Sequence, residues 1–229
     1  MLSPEDIKKK VGIYALNFVK PAMAIGLGTG STVNWFIKEL GKMVEQGLEI
    51  KAVPSSRQTE QLAKEAGISL YDLNELTSLS LTIDGADEID PQGNLIKGGG
   101  GALLQEKMVA SASEELIIIA DSSKLVKQPG KFPLPVEVIP FGYEMVRQKI
   151  ISSRLCRNVS LRRKNDQPFV TDHHHFILDC AFERIDDAAS LNIALHLIPG
   201  VVETGLFIHM ASKAIIGYED GRVEVLSYG

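Results

Sequence analysis

The sequence predicts an α/β protein, with a parallel sheet covered by helices and a smaller α+β domain near the carboxyl end. Two observations predict this fold class. Short apolar segments alternate with helical patterns through the first 130 residues, and continuous apolar strands separated by helices are typical of parallel sheets. Beyond residue 131 the order changes to helix, strand, strand and helix, which is typical of α+β domains.

The first helix is predicted to begin after Ser3, because a capping hydroxyl, a proline at the first position and early acids favour helix N-termini. Helical spacing continues until Lys20-Pro21 ends it. Ser31 or Thr32 is predicted to cap a second helix, whose apolar stripe is Val33, Phe36, Ile37, Leu40 and Val44. The remaining predicted elements are the strands Met23–Leu27, Ile50–Val53, Leu79–Ile83 and Leu116–Ala120 and the helices Gln58–Ala66 and Ala102–Ala112.

Three prolines in Lys131–Pro140 indicate a boundary to a second domain, because proline interrupts regular structure. The elements predicted beyond it are helices at Tyr143–Ser152 and Asp186–Leu197 and strands around Val159 and at Phe176–Asp179, an order that favours a ferredoxin-like fold. Strands at Ala214–Gly217 and Val223–Leu226 are predicted to return to the first domain. The predicted domains are therefore 1–131 with 207–229, and 132–206.

The composition excludes several classes of protein. Of the 229 residues, 45% are hydrophobic and 23% are charged, as in globular proteins. The net charge of −5 argues against nucleic-acid binding, which requires a basic surface. No apolar run reaches the roughly 18 residues that span a bilayer, and the polar N-terminus has no signal region. Cys156 and Cys180 have neither disulfide-framework nor zinc-site spacing. We therefore expect a soluble, cytoplasmic protein.

The segment Gly26-Leu-Gly-Thr-Gly-Ser-Thr32 joins a predicted strand to a predicted helix. Glycines let the backbone approach a ligand closely, and a helix N-terminus offers N–H groups and partial positive charge, which suit a phosphate. An ordinary strand–helix turn is the alternative. The dinucleotide fingerprint fails, because Ser31 replaces the third glycine and the second strand ends in Val53-Pro-Ser-Ser56 without an acid. The segment therefore favours a small phosphate ester.

Two further segments follow predicted strands, at the end where parallel sheets bind ligands. Asp84-Gly-Ala-Asp-Glu-Ile-Asp90 carries four acids, which could hold sugar hydroxyls, transfer protons or bind a metal, although the calcium-loop pattern does not match. Its alternative is a solvated acidic turn. Lys124, in Ala120-Asp-Ser-Ser-Lys124, could pair with a phosphate or an enediolate, or be an ordinary surface lysine.

Four glycines stand between Lys97 and a predicted helix. Because a glycine costs about 1 kcal/mol in a regular element, a purely structural origin of this run is strained. Its N–H groups could stabilise an oxyanion, and Glu106, in the second turn of the predicted helix, lies within reach of what they bind. A flexible linker is the alternative. His173–His175 is predicted to form a hairpin tip rather than a metal site, because adjacent histidines on a strand alternate faces.

Together these segments resemble the ribose-5-phosphate isomerases of the A type. The resemblance also covers Lys131–Pro140, Val170–Asp172, and Ile198–Val202 with Gly205–Phe207, and so extends over nearly the whole chain in order and with compatible spacing. The chain departs from the family in two places. Gly101 stands where alanine is common, and His173–His175 replaces a polar turn.

The resemblance implies interconversion of D-ribose 5-phosphate and D-ribulose 5-phosphate in the non-oxidative branch of the pentose phosphate pathway, without a metal or cofactor. It implies that Glu106 is the catalytic base and that Asp84, Asp87 and Lys97 assist. The substrate-binding residues that it implies are Thr29, Gly30, Ser31, Thr32, Asp84, Gly85, Ala86, Asp87, Lys97, Gly98, Gly99, Gly100 and Lys124. It further implies a Rossmann-like domain with a small α+β insertion, and a homodimer or homotetramer.

The residue types fit this chemistry. An aldose–ketose isomerase must remove a proton beside a carbonyl and deliver one to the neighbouring carbon, which one carboxylate above the enediolate can do. The glycine amides and Lys97 could stabilise the oxyanion, while Asp84 and Asp87 hold hydroxyls and one of them assists ring opening. The alternatives are a sugar-phosphate-sensing module, disfavoured because no helix-turn-helix precedes residue 20, and a coenzyme A transferase relative with a nucleophilic glutamate.

Overall fold

The computed structural model describes residues 1–228. Its α-helices are α1 (Pro4–Ala15), α2 (Ser31–Glu45), α3 (Arg57–Glu65), α4 (Leu103–Ser111), α5 (Tyr143–Ser152) and α6 (Ala188–His196). Its strands are β1 (Ala24–Leu27), β2 (Lys51–Pro54), β3 (Leu81–Asp84), β4 (Glu88–Ile89), β5 (Leu95–Ile96), β6 (Leu116–Asp121), β7 (Leu134–Val138), β8 (Asn158–Leu161), β9 (Arg163–Lys164), β10 (Gln167–Pro168), β11 (Phe176–Ala181), β12 (Val201–Thr204), β13 (Leu206–Phe207), β14 (Lys213–Gly217) and β15 (Val223–Ser227). Among these helices, none combines the length and the apolar character that crossing a membrane requires.

The chain divides into two compact units. The first contains Met1–Ala86, Gln105–Leu125 and the chain from Met210 onward, and the second contains Asp87–Leu104 and Val126–His209. This division differs from the predicted domains chiefly because residues 87–104 belong to the second unit. There β5 pairs with β4 and β13, and Ile96 packs into the second unit's core. Strands of two residues have no detectable periodicity, so the sequence did not predict them.

A six-stranded sheet in the order β15-β14-β6-β3-β1-β2 forms the centre of the first unit. Its neighbouring strands are parallel except β15, which pairs with β14 in antiparallel orientation. The predicted parallel sheet is confirmed, and the two C-terminal strands return to it. Because β6, β3 and β1 are adjacent and parallel, the segments that follow them leave the same edge of the sheet.

The predicted apolar stripe of α2 is buried except for Val44, which is half-buried. In α1, Ser3 Oγ accepts a hydrogen bond from Asp6 N at 3.2 Å. In α2, Phe36 is fully buried, a contribution of about 1.5–3 kcal/mol to stability. The predicted cap of α2 was wrong by one or two residues. The N-cap is Gly30, with φ of 128°, a conformation that glycine adopts far more readily than serine or threonine.

The second unit contains a four-stranded antiparallel sheet in the order β12-β7-β11-β8. Side chains of α5 and α6, including Val146, Ile150 and Leu195, pack in its core. The segment that predicted only a domain boundary contains β7, a central strand. Pro135 lies within β7, where its carbonyl accepts a hydrogen bond from Gly205 N at 2.8 Å.

Candidate active site

The glycine-rich segment between β1 and α2 approaches the end of β3 closely. A Cβ atom at Gly28 would lie 2.2 Å from Asp84 Oδ1, so any larger residue would displace that carboxylate. The next residue, Thr29, donates its main-chain N–H to the same oxygen at 3.0 Å. This contact brings together two segments that the sequence predicted as separate parts of one site.

The start of α2 has the properties of a phosphate site. The first N–H groups of a helix have no acceptor within the helix, and no described side chain caps α2. The residues that present these groups and neighbouring hydroxyls are Gly30, Ser31 and Thr32. Main-chain N–H groups, hydroxyls and the positive end of the helix dipole together can bind a phosphate.

A cluster of buried hydroxyls supports Thr29. Its Oγ1 atom lies 2.9 Å from the Oγ atoms of Ser55 and Ser56 and 3.1 Å from Thr59 Oγ1. Thr59 Oγ1 in turn donates to Gly28 O at 2.8 Å. This cluster was not predicted from the sequence. The signal for it is that Ser55 and Ser56 follow β2 as the glycine-rich segment follows the neighbouring β1.

Asp84 is the acid of its segment that belongs to the first unit. Its side chain is fully buried, and Oδ1 accepts hydrogen bonds from Thr29 N and, at 2.7 Å, from Gly85 N. Gly85 and Ala86 continue the chain from this point and are half-buried. A carboxylate fixed in this way can hold a hydroxyl group of a ligand in a defined position.

Glu106 lies in the first turn of α4, rather than in the second as predicted, because the helix begins at Leu103. Its side chain is 4% exposed, and the positive end of the helix dipole favours a carboxylate at this position. The preceding Gln105 donates to Pro54 O, at the end of β2, at 3.0 Å. The first turn of α4 therefore lies at the sheet edge where β1 and β3 also end.

Lys124 follows β6 at that same edge. It ends a short 3₁₀ helix, Ser122–Lys124, which Asp121 caps by accepting a hydrogen bond from Ser123 N at 2.9 Å. The structure thus places Lys124 after a third neighbouring strand of the parallel sheet.

In the second unit, Lys97 and the glycine run form a turn. Lys97 is 2% exposed, and its Nζ atom lies 5.5 Å from the centroid of the Phe207 ring. Gly101 N donates to Gly98 O at 2.9 Å, and Gly99 N donates to Asp87 Oδ2 at 2.8 Å. The amides of Gly99 and Gly101 are therefore engaged within the protein, in contrast to the prediction that successive amides of the run are open to a ligand.

Arg162 contacts this turn from the carbonyl side. Its Nη1 atom donates to Gly98 O at 2.8 Å and to Gly99 O at 3.0 Å. The guanidinium also forms a forked ion pair with Asp179, with Nε–Oδ2 and Nη2–Oδ1 distances of 2.9 and 2.5 Å. No sequence signal could have identified Arg162, because it lies 64 positions from Gly98 and acts on main-chain atoms.

Two other acids of the Asp84–Asp90 segment have structural contacts. Glu88 accepts hydrogen bonds from Gly130 N and Phe132 N at 2.7 and 2.6 Å. Asp90 accepts from the main-chain N–H groups of Gln92 and Asn94. Within residues 1–228, no three His, Cys, Asp or Glu side chains are grouped so that they could hold a metal ion.

The histidine run forms a turn closed by main-chain hydrogen bonds, but the predicted hairpin tip was wrong, because β11 pairs with β7 and β8 and β10 pairs with β9. Thr171 N donates to His175 O, and His174 N donates to Thr171 O, both at 2.9 Å. His175 Nδ1 lies 3.0 Å from Glu137 Oε1, which also accepts from Thr171 Oγ1 at 2.9 Å. The run therefore packs against a buried carboxylate of β7.

A family model and individual relatives all indicate the same protein family. The family model for "Ribose 5-phosphate isomerase A (phosphoriboisomerase A)" matches residues 51–221. A ribose-5-phosphate isomerase A of Bacillus cereus is 56% identical over 221 residues, which cover 96% of this chain and 100% of that protein. The corresponding protein of Parvibaculum lavamentivorans is 50% identical and covers 96% of this chain and 97% of its own.

Solved structures show the same similarity. A D-ribose-5-phosphate isomerase in complex with phospho-erythronic acid superposes with a TM-score of 0.94 at 38% identity and covers 99% of this chain and 100% of its own. The ribose 5-phosphate isomerase A of Methanocaldococcus jannaschii has a TM-score of 0.92 at 40% identity, over 98% of this chain and 100% of its own. With a family model that spans most of the sequence and relatives that match from end to end, this chain belongs to the ribose 5-phosphate isomerase A family.

Proposed function

We propose that this aldose–ketose isomerase interconverts D-ribose 5-phosphate and D-ribulose 5-phosphate through an enediolate, with Glu106 as the base. The observation that carries the mechanism is the buried carboxylate of Glu106 in the first turn of α4. The reaction removes the C2 proton of the aldose and delivers a proton to C1. Because both carbons belong to one planar enediolate, a single carboxylate above that plane can perform both transfers.

We assign the roles of the other site residues from their charge and from the hydrogen bonds that hold them in place. Lys97 is buried, and a buried charge stabilises a developing oxyanion more strongly than an exposed one. The N–H of Gly100 is a second donor, while Gly98 and Gly99 shape the turn. Asp84 and Asp87 hold sugar hydroxyls, and one of them assists ring opening, because both carboxylates are oriented by main-chain N–H groups.

The phosphate group of the substrate binds at the start of α2. The donors that we assign to it are the main-chain and hydroxyl groups of Gly30, Ser31 and Thr32, with Lys124 as the cation and Thr29, Gly85 and Ala86 shaping the site. No step of this mechanism requires a cofactor. The solved relative in complex with phospho-erythronic acid supports a sugar phosphate as substrate, because that acid combines a phosphate with a planar carboxylate, as an enediolate combines a phosphate with two planar oxygens.

The test uses the purified full chain and D-ribose 5-phosphate in deuterated buffer without added metal. We expect ketose to form and deuterium to enter C1 of D-ribulose 5-phosphate as the reaction reverses many times, because the proton on the base exchanges with solvent. No ketose would overturn the proposed activity. Ketose that gains no solvent deuterium after prolonged equilibration would instead indicate hydride transfer and overturn the role of Glu106.

The architecture supports two further proposals, one for the fold of each unit. We infer that the first unit is Rossmann-like, and that the second is ferredoxin-like because its antiparallel sheet has the order β12-β7-β11-β8 with α5 and α6 between the strands. We also infer that the enzyme is cytoplasmic and forms a homodimer or homotetramer. Light scattering after size exclusion tests the assembly, since a mass near that of one 25.0 kDa chain would contradict it.

A further inference from the structure

We propose that Arg162, held by Asp179, is a positioning residue that orients Asp87 and the N–H of Gly100 through the peptide groups of the glycine turn. The inference rests on the proposed function, because it concerns the same reaction. It concerns a side chain to which neither the predicted site nor the family resemblance assigned a role.

The guanidinium of Arg162 binds Asp179 and the glycine turn at the same time. Nε and Nη2 are engaged by the two oxygens of Asp179, which leaves Nη1 directed at the carbonyls of Gly98 and Gly99. The side chains of Arg162 and Asp179 are only 15% and 23% exposed, so this arrangement is partly shielded from water. A lysine cannot reproduce it, because an ammonium group lacks the planar fork that binds a carboxylate and carbonyls simultaneously.

Arg162 and Asp87 both bind the peptide group that joins Gly98 to Gly99. Its carbonyl accepts from Arg162, and its N–H donates to Asp87 Oδ2 at 2.8 Å. Because the C=O and N–H of a trans peptide point in opposite directions, Arg162 and Asp87 hold this group from opposite sides. A guanidinium on the carbonyl polarises the peptide and strengthens its bond to the carboxylate. The position of Asp87 thus depends on Arg162.

The next peptide group, which joins Gly99 to Gly100, has the same geometry. Gly99 O accepts from Arg162 at 3.0 Å, so the N–H of Gly100 points away from the guanidinium. Gly100 is exposed, so its main chain is accessible to a ligand. A developing oxyanion requires an N–H donor that is both accessible and held in a fixed direction. Arg162 therefore positions one hydroxyl-binding acid and one oxyanion donor together.

The second unit offers a matched comparison in Arg147. This arginine forms a forked ion pair with Glu144, with Nε–Oε2 and Nη2–Oε1 distances of 2.9 and 2.6 Å, and its Nη1 donates to Val159 O at 3.3 Å. The pattern of a forked pair and a carbonyl contact is the same, but the carbonyl belongs to β8 instead of the glycine turn. Arg147→Met therefore measures the effect of losing such a pair without disturbing the turn.

The experiment compares the kinetics of Arg162→Met, Arg162→Lys and Arg147→Met with those of the wild-type enzyme, and melting temperatures are recorded for all four. We expect Arg162→Met to lower kcat about 100-fold and Arg162→Lys about 10-fold, because small displacements of reacting groups have effects of this size. Inhibition by inorganic phosphate should change less than about threefold, since the phosphate donors belong to α2. Arg147→Met should keep the wild-type kcat.

Guanidinium ion added to Arg162→Ala should restore part of the lost kcat. The same ion should leave the kcat of Arg147→Met unchanged. A wild-type enzyme that does not isomerise D-ribose 5-phosphate would refute the proposed function. A normal wild-type rate with Arg162→Met and Arg162→Lys within about threefold of it would refute the role of Arg162 alone. If Arg162→Met does not fold, the kcat of Asp179→Asn tests the role of Arg162 instead. A fall in kcat of about fivefold supports that role, and an unchanged kcat overturns it.

Discussion

Thr29 donates its main-chain N–H to Asp84 Oδ1 at 3.0 Å, a contact between residues that are 55 positions apart in the sequence. The contact forms because β1 and β3 are adjacent parallel strands, in which Leu27 pairs with Ile83. The segment that precedes α2 and the acid at the end of β3 are consequently fixed relative to each other. In the proposed mechanism, one serves the phosphate group and the other serves a sugar hydroxyl, so this bond sets the distance between two ends of the substrate.

Replacement of the proposed base tests the chemistry most directly. We expect Glu106→Gln to lower kcat about 10³-fold or more while KM changes little, because the amide keeps the shape of the side chain but cannot accept a proton. Steady-state kinetics measure both values, with Glu60→Gln on α3 as an exposed control. Activity of Glu106→Gln within about tenfold of the wild type would remove Glu106 from the base role.

The buried hydroxyl cluster predicts a different kinetic signature. Thr59→Val removes the donor to Gly28 O and the contact with Thr29 Oγ1. Because each such hydrogen bond contributes about 0.5–1.5 kcal/mol, we expect KM and the inhibition constant of phosphate to rise about 5- to 10-fold with kcat nearly unchanged. Thr82→Val is the control, since Thr82 is equally buried but bonds to Ser113. An equal rise of KM in both variants would contradict the prediction.

The close approach of β1 and β3 predicts a strong effect at Gly28. A Cβ atom would lie 2.2 Å from Asp84 Oδ1, so Gly28→Ala must displace the carboxylate or the main chain of Thr29. We expect kcat/KM to fall about 100-fold. Gly41→Ala introduces a comparable clash, 2.5 Å from Ala66 O, at a position away from the proposed site. It should lower the melting temperature and keep kcat/KM, and an equal loss in the two variants would be evidence against a specific effect.

Glu88 is expected to affect stability and not catalysis. Its carboxylate accepts hydrogen bonds from Gly130 N and Phe132 N and is 3% exposed. Glu88→Ala leaves a buried main-chain donor, Gly130 N, and a partly buried one, Phe132 N, without this partner, so we expect the free energy of unfolding to fall by about 1–3 kcal/mol. Urea unfolding measures the change, and Glu219→Ala at the surface should stay within about 0.5 kcal/mol of the wild type. A large fall in kcat with an unchanged free energy of unfolding would instead show that Glu88 takes part in the reaction.

A chelator is expected to leave the rate unchanged. The carboxylates of Asp84, Asp87, Glu88 and Asp90 each accept at least one main-chain N–H, an arrangement that holds them without an ion. The measurement is the initial rate of ketose formation before and after dialysis against EDTA. Inactivation that one divalent ion reverses would show that the acidic segment binds a metal after all.

Part of the candidate site could be predicted because its residues follow strands. Thr29, Asp84 and Lys124 each come after an apolar run, and in a parallel sheet the ends of such runs meet at one edge. The supporting groups could not be predicted in the same way. Ser56 and Arg162 act by hydrogen bonds to distant hydroxyl or main-chain atoms, and such bonds leave no periodic pattern in the residues around them.

The helices, the apolar strands and the parallel character of the main sheet could be predicted from residue patterns, because apolar spacing and capping act over a few residues. Three other features depend on the tertiary structure. It assigned residues 87–104 to the second unit, it placed the cap of α2 at Gly30, and it brought Arg162 to the carbonyls of the glycine turn. Each of these depends on backbone torsions or on contacts between segments remote in the chain, which local side-chain patterns do not encode.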